Sequence, residues 1–309
     1  MSEFERGFKA TGIPCMDNHA GRSSEKRFPD GAHYRIEIPS VEGPNPLKAV
    51  LREAEQRGVP VHRISQGSGI MLQTRDEIKE MCRIGADNGI EVNLFVGPRA
   101  SYDTGGFYKA PAGQFIGWQV RGADQLRYAM DDIRHACDLG LRSVLIADIG
   151  QVYLTREFIE KGLLPANLVI KSSATLSPGN PATVSVIDRM GADTINVAGD
   201  LSVAQMGALR AVTNKPIDIY IEGPDGLGGF IRYYEAADIA QQCAPVYLKL
   251  GLRNAVDVYP SGMHLDQAAT SQCEEKVRRV QILCEHLDRL APELATSERG
   301  AKGLGIPEP

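Results

Sequence analysis

The stretch IDIYIEGPDGLGGFIRYYE, residues 217–235, alternates Ile217, Ile219 and Ile221 with Asp218, Tyr220 and Glu222, then breaks into a loop with four glycines. Strict alternation marks a strand with two unlike faces, so two carboxyls and a phenol share one face of a segment otherwise built for burial. A strand of this kind is at home where its apolar face lies under helices and its polar face lines an enclosed lumen.

The rest of the chain repeats the pattern. From residue 33 onward eight strand-like runs alternate with eight helix-like runs, from HYRIEIP with NPLKAVLREAEQRG to PVYLKLG with SQCEEKVRRVQILCEHLDRL. Alternation of this kind implies right-handed crossovers and a parallel sheet, and eight units in this length predict a (β/α)8 TIM barrel, with an open doubly wound sheet as the runner-up. Asn45-Pro46, Thr74 and Asn180-Pro181 read as helix starts, and Gly58, Gly89, Gly140 and Gly191 as stops. The domain reading is an N-terminal extension over residues 1–32, a catalytic barrel over 33–292 and a tail over 293–309. The extension is expected to be a barrel plug, an oligomer arm or a mobile tail.

Composition narrows the function classes. The net charge is −5, with 34 basic and 39 acidic residues interspersed, which offers no basic footprint for nucleic acid or an anionic membrane. With no membrane-length apolar run and no secretory signal pattern at the start, the expectation is a cytoplasmic protein acting on a small-molecule substrate, with homo-oligomerisation left open. The six cysteines, at 15, 82, 137, 243, 273 and 284, form no C-x-x-C pair and read as reduced, mostly packed thiols.

In a barrel the residues that alternate with Val, Ile and Leu must point inward. Applied strand by strand, this sends Arg35, Glu37, Asn93, Lys171, Ser173, Asn196, Asp218, Tyr220, Glu222, Tyr247 and Lys249 into the lumen. Glu37, Lys171, Glu222 and Lys249 lie toward the strand ends where barrel enzymes keep their chemistry, and are the catalytic candidates; Asp218 sits deeper and reads as structural. Glu222 and Glu37 would exchange protons, and Lys171 or Lys249 would act electrostatically or through a Schiff base. Lys171, followed by Ser172 and Ser173, is the preferred imine former. A satisfied ion network without chemistry is the competing reading of the same residues.

Several loops supply binding candidates. RISQGSGIMLQT offers Ser65 and Gln66, and the long segment GPRASYDTGGFYKAPAGQFIGWQVRG reads as a lid carrying Arg99, Tyr102, Asp103, Trp118 and Arg121. The glycine-rich loop after strand seven and Arg253 after strand eight would suit an anion. Ser173, Asn196 and Tyr220 complete the substrate-binding set, with Arg99, Arg121 and Arg253 as anion clamps. Cofactors are unknown. His62 is a candidate metal ligand, and Mg²⁺ or Mn²⁺ on Glu222 with Glu37 or Asp148 would need only oxygen donors. No G-x-S-x-G elbow is present, which disfavours serine-hydrolase chemistry.

Residues 147–150, 172–180 and 199–202, within GLRSVLIADIGQVYLTREF and LVIKSSATLSPGNPATVSVIDRMGADTINVAGDLSVAQMGAL, resemble strand ends of the peptidase U-32 (collagenase-like) family over roughly residues 75–250. The resemblance implies a barrel with a site at its top. The family's histidine- and cysteine-bearing segment is replaced here by IEGPDGLGG, so its iron–sulfur cluster is not expected. The combined reading is a TIM-barrel enzyme acting on a small polar anionic metabolite by lyase or aldolase-like chemistry. Its alternatives are a metal-assisted hydrolase and a non-catalytic metabolite- or partner-binding barrel.

Overall fold

The computed structural model describes residues 2–309. In chain order the elements are α1 (Glu3–Thr11), β1 (Tyr34–Pro39), α2 (Pro44–Arg57), β2 (Arg63–Ser65), α3 (Arg75–Asn88), β3 (Glu91–Phe95), α4 (Gly122–Asp138), β4 (Ser143–Ile146), α5 (Ile149–Glu160), β5 (Val169–Ser172), α6 (Pro181–Arg189), β6 (Thr194–Asn196), α7 (Val203–Ala211), β7 (Ile217–Glu222), α8 (Ala236–Cys243), β8 (Val246–Leu250) and α9 (Asp266–Leu290). The eight strands are all parallel and close in sequence order, β8 pairing with β1. This is the predicted (β/α)8 barrel.

Local chemistry places the helices. Thr74 caps α3 in a reciprocal box with Glu77, and Asn180 accepts the Thr183 N–H at the start of α6. Gly58 and Gly89 end α2 and α3 at φ 63° and 62°, a left-handed conformation that costs glycine little. The outward strand residues, among them Ile36, Ile64, Val92, Ile170, Ile219 and Leu248, form one core with the inner faces of the helices. All six cysteines are free thiols, four of them buried. Among the described residues no helix is long and apolar enough to cross a membrane.

The two ends of the chain close the barrel bottom together. Phe28, from the N-terminal extension, meets the Tyr247 ring edge-on at 5.4 Å and, with Ala32 and Leu304, forms a small apolar cluster beneath the lumen. Arg35 lies 4.0 Å above the Phe28 ring and donates to the Ser297 hydroxyl (2.8 Å) and the Lys302 carbonyl (2.9 Å). The Gly305 N–H donates to Glu91 Oε2 at 3.2 Å. A side chain at 305 would place its Cβ 2.6 Å from the Arg142 carbonyl, so only glycine lets the tail lie this close.

His62, predicted inside a strand, lies just before β2 and belongs to the same closure. Its Nδ1 accepts the Ile36 N–H (2.9 Å), which leaves Nε2 to donate to the Ser297 carbonyl (2.7 Å). Burial pushes its pKa down to about 4, so the ring is neutral. Both nitrogens are committed to backbone, which removes His62 as a metal-ligand candidate.

Candidate active site in the barrel lumen

Strand tilt turns the inward residues of alternate strands into layers of four. The registers give, from below, Arg63, Ser143, Thr194 and Tyr247; then Glu37, Asn93, Lys171 and Asp218; then Ser65, Leu145, Asn196 and Lys249. Phe95, Ser173 and Tyr220 stand above these. A lumen usually filled with Val, Ile and Leu is here charged through three successive layers.

The charges are paired. Arg63 donates to Glu37 Oε2 (2.7 Å) and Asp218 Oδ1 (2.7 Å), lies 3.6 Å from Glu91, and stacks 3.5 Å over the Tyr247 ring. Lys171 donates to Glu37 Oε1 and stands 3.4 Å from Asp218 and 3.2 Å from the Ser65 hydroxyl. Lys249, one layer higher, stands 3.4 Å from the same Glu37 oxygen and 4.2 Å over the Tyr220 ring. Ser65 donates to that oxygen at 2.7 Å. With its amide oriented to satisfy its neighbours, Asn196 accepts from Lys249 Nζ at 2.6 Å and donates to the Asp218 carbonyl at 3.2 Å.

Removing these ions from water costs several kcal/mol each, and only close pairing of the kind seen here offsets it. The protonation states follow. Burial alone would raise the Glu37 carboxyl, but Arg63, Lys171 and Lys249 outweigh it and hold Glu37 well below the usual carboxylate range. Lys171 goes the other way. Burial, then the Arg63 guanidinium and Lys249, pull its pKa down to about 7 against the opposing pull of Glu37 and Asp218. Burial also pushes the Tyr220 phenol up, so it stays protonated.

The lumen therefore gathers Glu37, Lys171, Lys249, Ser65, Asn196 and Tyr220 from the predicted set, with Ser173 just past β5 at the rim. The sequence reading passed over Arg63, because His62 and Arg63 are both polar and a three-residue strand leaves parity undecided. Glu91 was passed over too, although it shares the parity of Asn93.

Glu222 is not in the lumen, contrary to the reading of its strand. The β7–β8 register shifts between Tyr220 and Glu222, so Glu222 pairs with Leu250 rather than following Tyr220 and Lys249 on the inner face. Its carboxylate accepts from the Tyr233 hydroxyl (2.8 Å) and the Arg253 N–H (3.0 Å), with Arg279 of α9 at 3.9 Å. The oxygen-ligand metal site built on Glu222 loses its geometry with it. Asp148 caps α5 through Gln151 and accepts the Val120 N–H, and among the described residues no group of three or more His, Cys, Asp or Glu is arranged to hold a metal ion.

The predicted anion clamps are dispersed. Arg99 is buried, donates to the Gly67 (2.9 Å) and Ser68 (2.8 Å) carbonyls and stacks on Phe95, Tyr102 and Trp118, fastening the loop after β2 to the lid. Arg121 is exposed at the start of α4. Arg253, half exposed, pairs with Asp225 at 3.2 Å. Gln66 folds back on Gly69 through both ends of its amide. It lines a separate concavity of about 190 Å³ beside Glu42, Ser68 and Asp266, away from the lysines. Gly223, in the loop expected to cradle an anion, has another role: a Cβ there would meet the Phe230 ring at 2.7 Å.

No family model matches the chain, and no curated protein matches it. Solved structures do. A candidate fructose-1,6-bisphosphate aldolase from Coccidioides immitis aligns at 13% identity and TM-score 0.50, over 83% of this chain and 92% of its own. A candidate copper homeostasis protein, CutC, from Streptococcus agalactiae aligns at 16% identity and TM-score 0.46, over 70% and 98%. The U32 peptidase Mk0906 aligns at 14% identity and TM-score 0.44, over 72% and 94%. At these identities the likeness is one of fold.

Proposed function

We propose that the barrel is a lyase of the imine-forming, aldolase-like kind, with Lys249 as the nucleophile and Glu37 and Lys171 as its proton relay. One observation carries the reading: two lysines from successive layers converge on a single oxygen of Glu37 in a buried lumen. A lysine beside other cations in a dry site loses its proton readily and becomes a base or nucleophile. Lys249 takes the nucleophile's part because it stands one layer nearer the mouth, whereas Lys171, preferred from sequence, is sealed beneath it.

The Lys249 nitrogen bonds to the substrate carbonyl carbon, the carbonyl oxygen leaves as water, and a protonated imine remains. That imine accepts the electron pair of the neighbouring carbon–carbon or carbon–hydrogen bond as it breaks, and hydrolysis returns the free lysine. Protons pass between Lys249 and Lys171 through the Glu37 oxygen both of them face. Asn196 and the protonated Tyr220 orient the carbonyl. Kinship with the U-32 peptidases is part of the proposal and rests on residues 147–150, 172–180 and 199–202.

Borohydride trapping tests the chemistry. With a carbonyl substrate that is turned over, reduction should fix the substrate's mass on the peptide holding Lys249, and Lys249→Met should prevent it. Turnover without an adduct, or an adduct that survives Lys249→Met, would sink the assignment.

A further inference from the structure

Lys249 is only 2% exposed, so any reactant must first displace something to reach it. One residue past Lys249 the chain leaves β8 and runs to the short turn before α9 without helix or strand. Among the described residues, none of 256–261 in this strap makes a backbone–backbone hydrogen bond. Side chains fasten it to the rest of the protein instead. Gln272 donates to the Val256 carbonyl (2.7 Å), the Tyr259 hydroxyl to the hydroxyl of Ser40, and the Ser261 N–H to the hydroxyl of Ser68 (2.7 Å). A segment with so few exposed fastenings opens locally at a small fraction of the cost of unfolding.

The strap lies across the mouth. Ser65 shares the layer of Lys249; Gln66 turns outward, and Gly67 takes the next place on the lumen side. The Tyr259 ring rests on Gly67, where a Cβ would meet it at 2.3 Å. Its hydroxyl bonds to Ser40, just past β1, so the side chain reaches from the end of β8 across β1 to β2. Tyr259 is nevertheless 38% exposed, with one side on the glycine and the other toward water. Val258 beside it is 3% exposed yet belongs to no apolar cluster, so what it covers is not the core beneath the helices. Gly67 has no left-handed φ, so it is the Tyr259 ring, not the backbone, that excludes a side chain there.

We infer that residues 255–261 are a gate on the lumen, shut where Tyr259 seats on Gly67 and lifted to let a reactant reach Lys249. The base of the strap stays in place, because Asp225 accepts from both the Arg253 guanidinium and the Asn254 N–H. The closure stands on the geometry of the strap alone. Only the identity of what enters, a carbonyl compound, rests on the lyase reading.

Reductive methylation of the full chain with formaldehyde and a borane, read lysine by lysine by mass spectrometry, tests the gate without any substrate. In the native protein Lys249 should react at least ~100-fold more slowly than Lys79, which is exposed on α3. Gly67→Ala puts a methyl where the Tyr259 ring lies and should prop the strap open, speeding Lys249 by ~10-fold or more while Lys79 and the melting temperature hold. Tyr259→Phe, which removes only the bond to Ser40, should speed it by about 2–10-fold, the weight of one net hydrogen bond. If Gly67→Ala melts early, Tyr259→Phe decides alone. A native Lys249 that reacts as fast as Lys79, or a folded variant in which its rate is unchanged, would overturn the inference. Failure of substrate trapping with this labelling pattern intact would sink the lyase reading and leave the gate.

Discussion

Lys249 and Lys171 address the same oxygen of Glu37 from adjacent layers of the lumen, Lys249 from 3.4 Å in the layer above and Lys171 from the layer of Glu37 itself. Two ammonium groups so placed repel each other, and the carboxylate between them is what makes both tolerable. The arrangement leaves one lysine poised near neutrality, and several consequences can be measured.

Glu37→Gln should be the most destabilising single change in the lumen. It leaves Arg63, Lys171 and Lys249 with one carboxylate fewer in a fully buried site, and breaking such a pair typically costs about 3–5 kcal/mol. Urea unfolding should show that loss. Adding Lys171→Met should recover part of it, because the second change removes a charge left without its partner.

The pH dependence of imine trapping should carry a step near 7, the position to which burial and its cationic neighbours bring Lys171. The rate should rise as pH increases through that value, because Lys171 must be free to accept the proton that Lys249 sheds. The linkage has a definite sign. Lys171 loses its proton near 7 when folded and above 10 when unfolded, so its contribution to stability also rises with pH across that window. A lysine Nζ that titrates near 10.5 by NMR would contradict both expectations.

Acid should loosen the barrel bottom first. His62 is neutral in the fold, with its pKa pushed down to about 4, against about 6.5 when unfolded. Its stabilising contribution is complete above 6.5 and is lost as pH falls toward 4, reaching about 2 kcal/mol of loss at pH 5. Amide exchange over residues 297–305, which His62 and Glu91 help to hold, should accelerate between pH 7 and 5 before that of β4 or β5 does. His62→Gln should flatten that pH response.

Glu222→Gln should leave trapping unchanged. The side chain serves Tyr233, Arg253 and Arg279 outside the lumen, so the variant should lose roughly 1–2 kcal/mol of stability from a weakened buried hydrogen-bond set. A hundredfold drop in turnover without unfolding would return Glu222 to the chemistry.

The fold and most of the lumen were legible because both are written in a period-two code. Ile217, Ile219, Asp218 and Tyr220 announce which side faces helices and which faces the barrel axis, and the eight-fold repetition leaves few ways to close the sheet. The same code identified Glu37, Lys171 and Lys249 as neighbours-to-be although they are far apart in the chain. What it could not contain were the places where pairing, rather than local pattern, decides. The register shift between β7 and β8 turns Glu222 out of the lumen, and it arises from how two strands meet. Arg63 became the hub of the ion network because the partners it reaches belong to four other strands. The tail that closes the bottom is placed by hydrogen bonds to Arg35, Glu91 and His62 that form only once the barrel exists. Alternation is a property of consecutive residues and survives in sequence; register, layer and closure are relations between distant ones, and only the packed chain sets them.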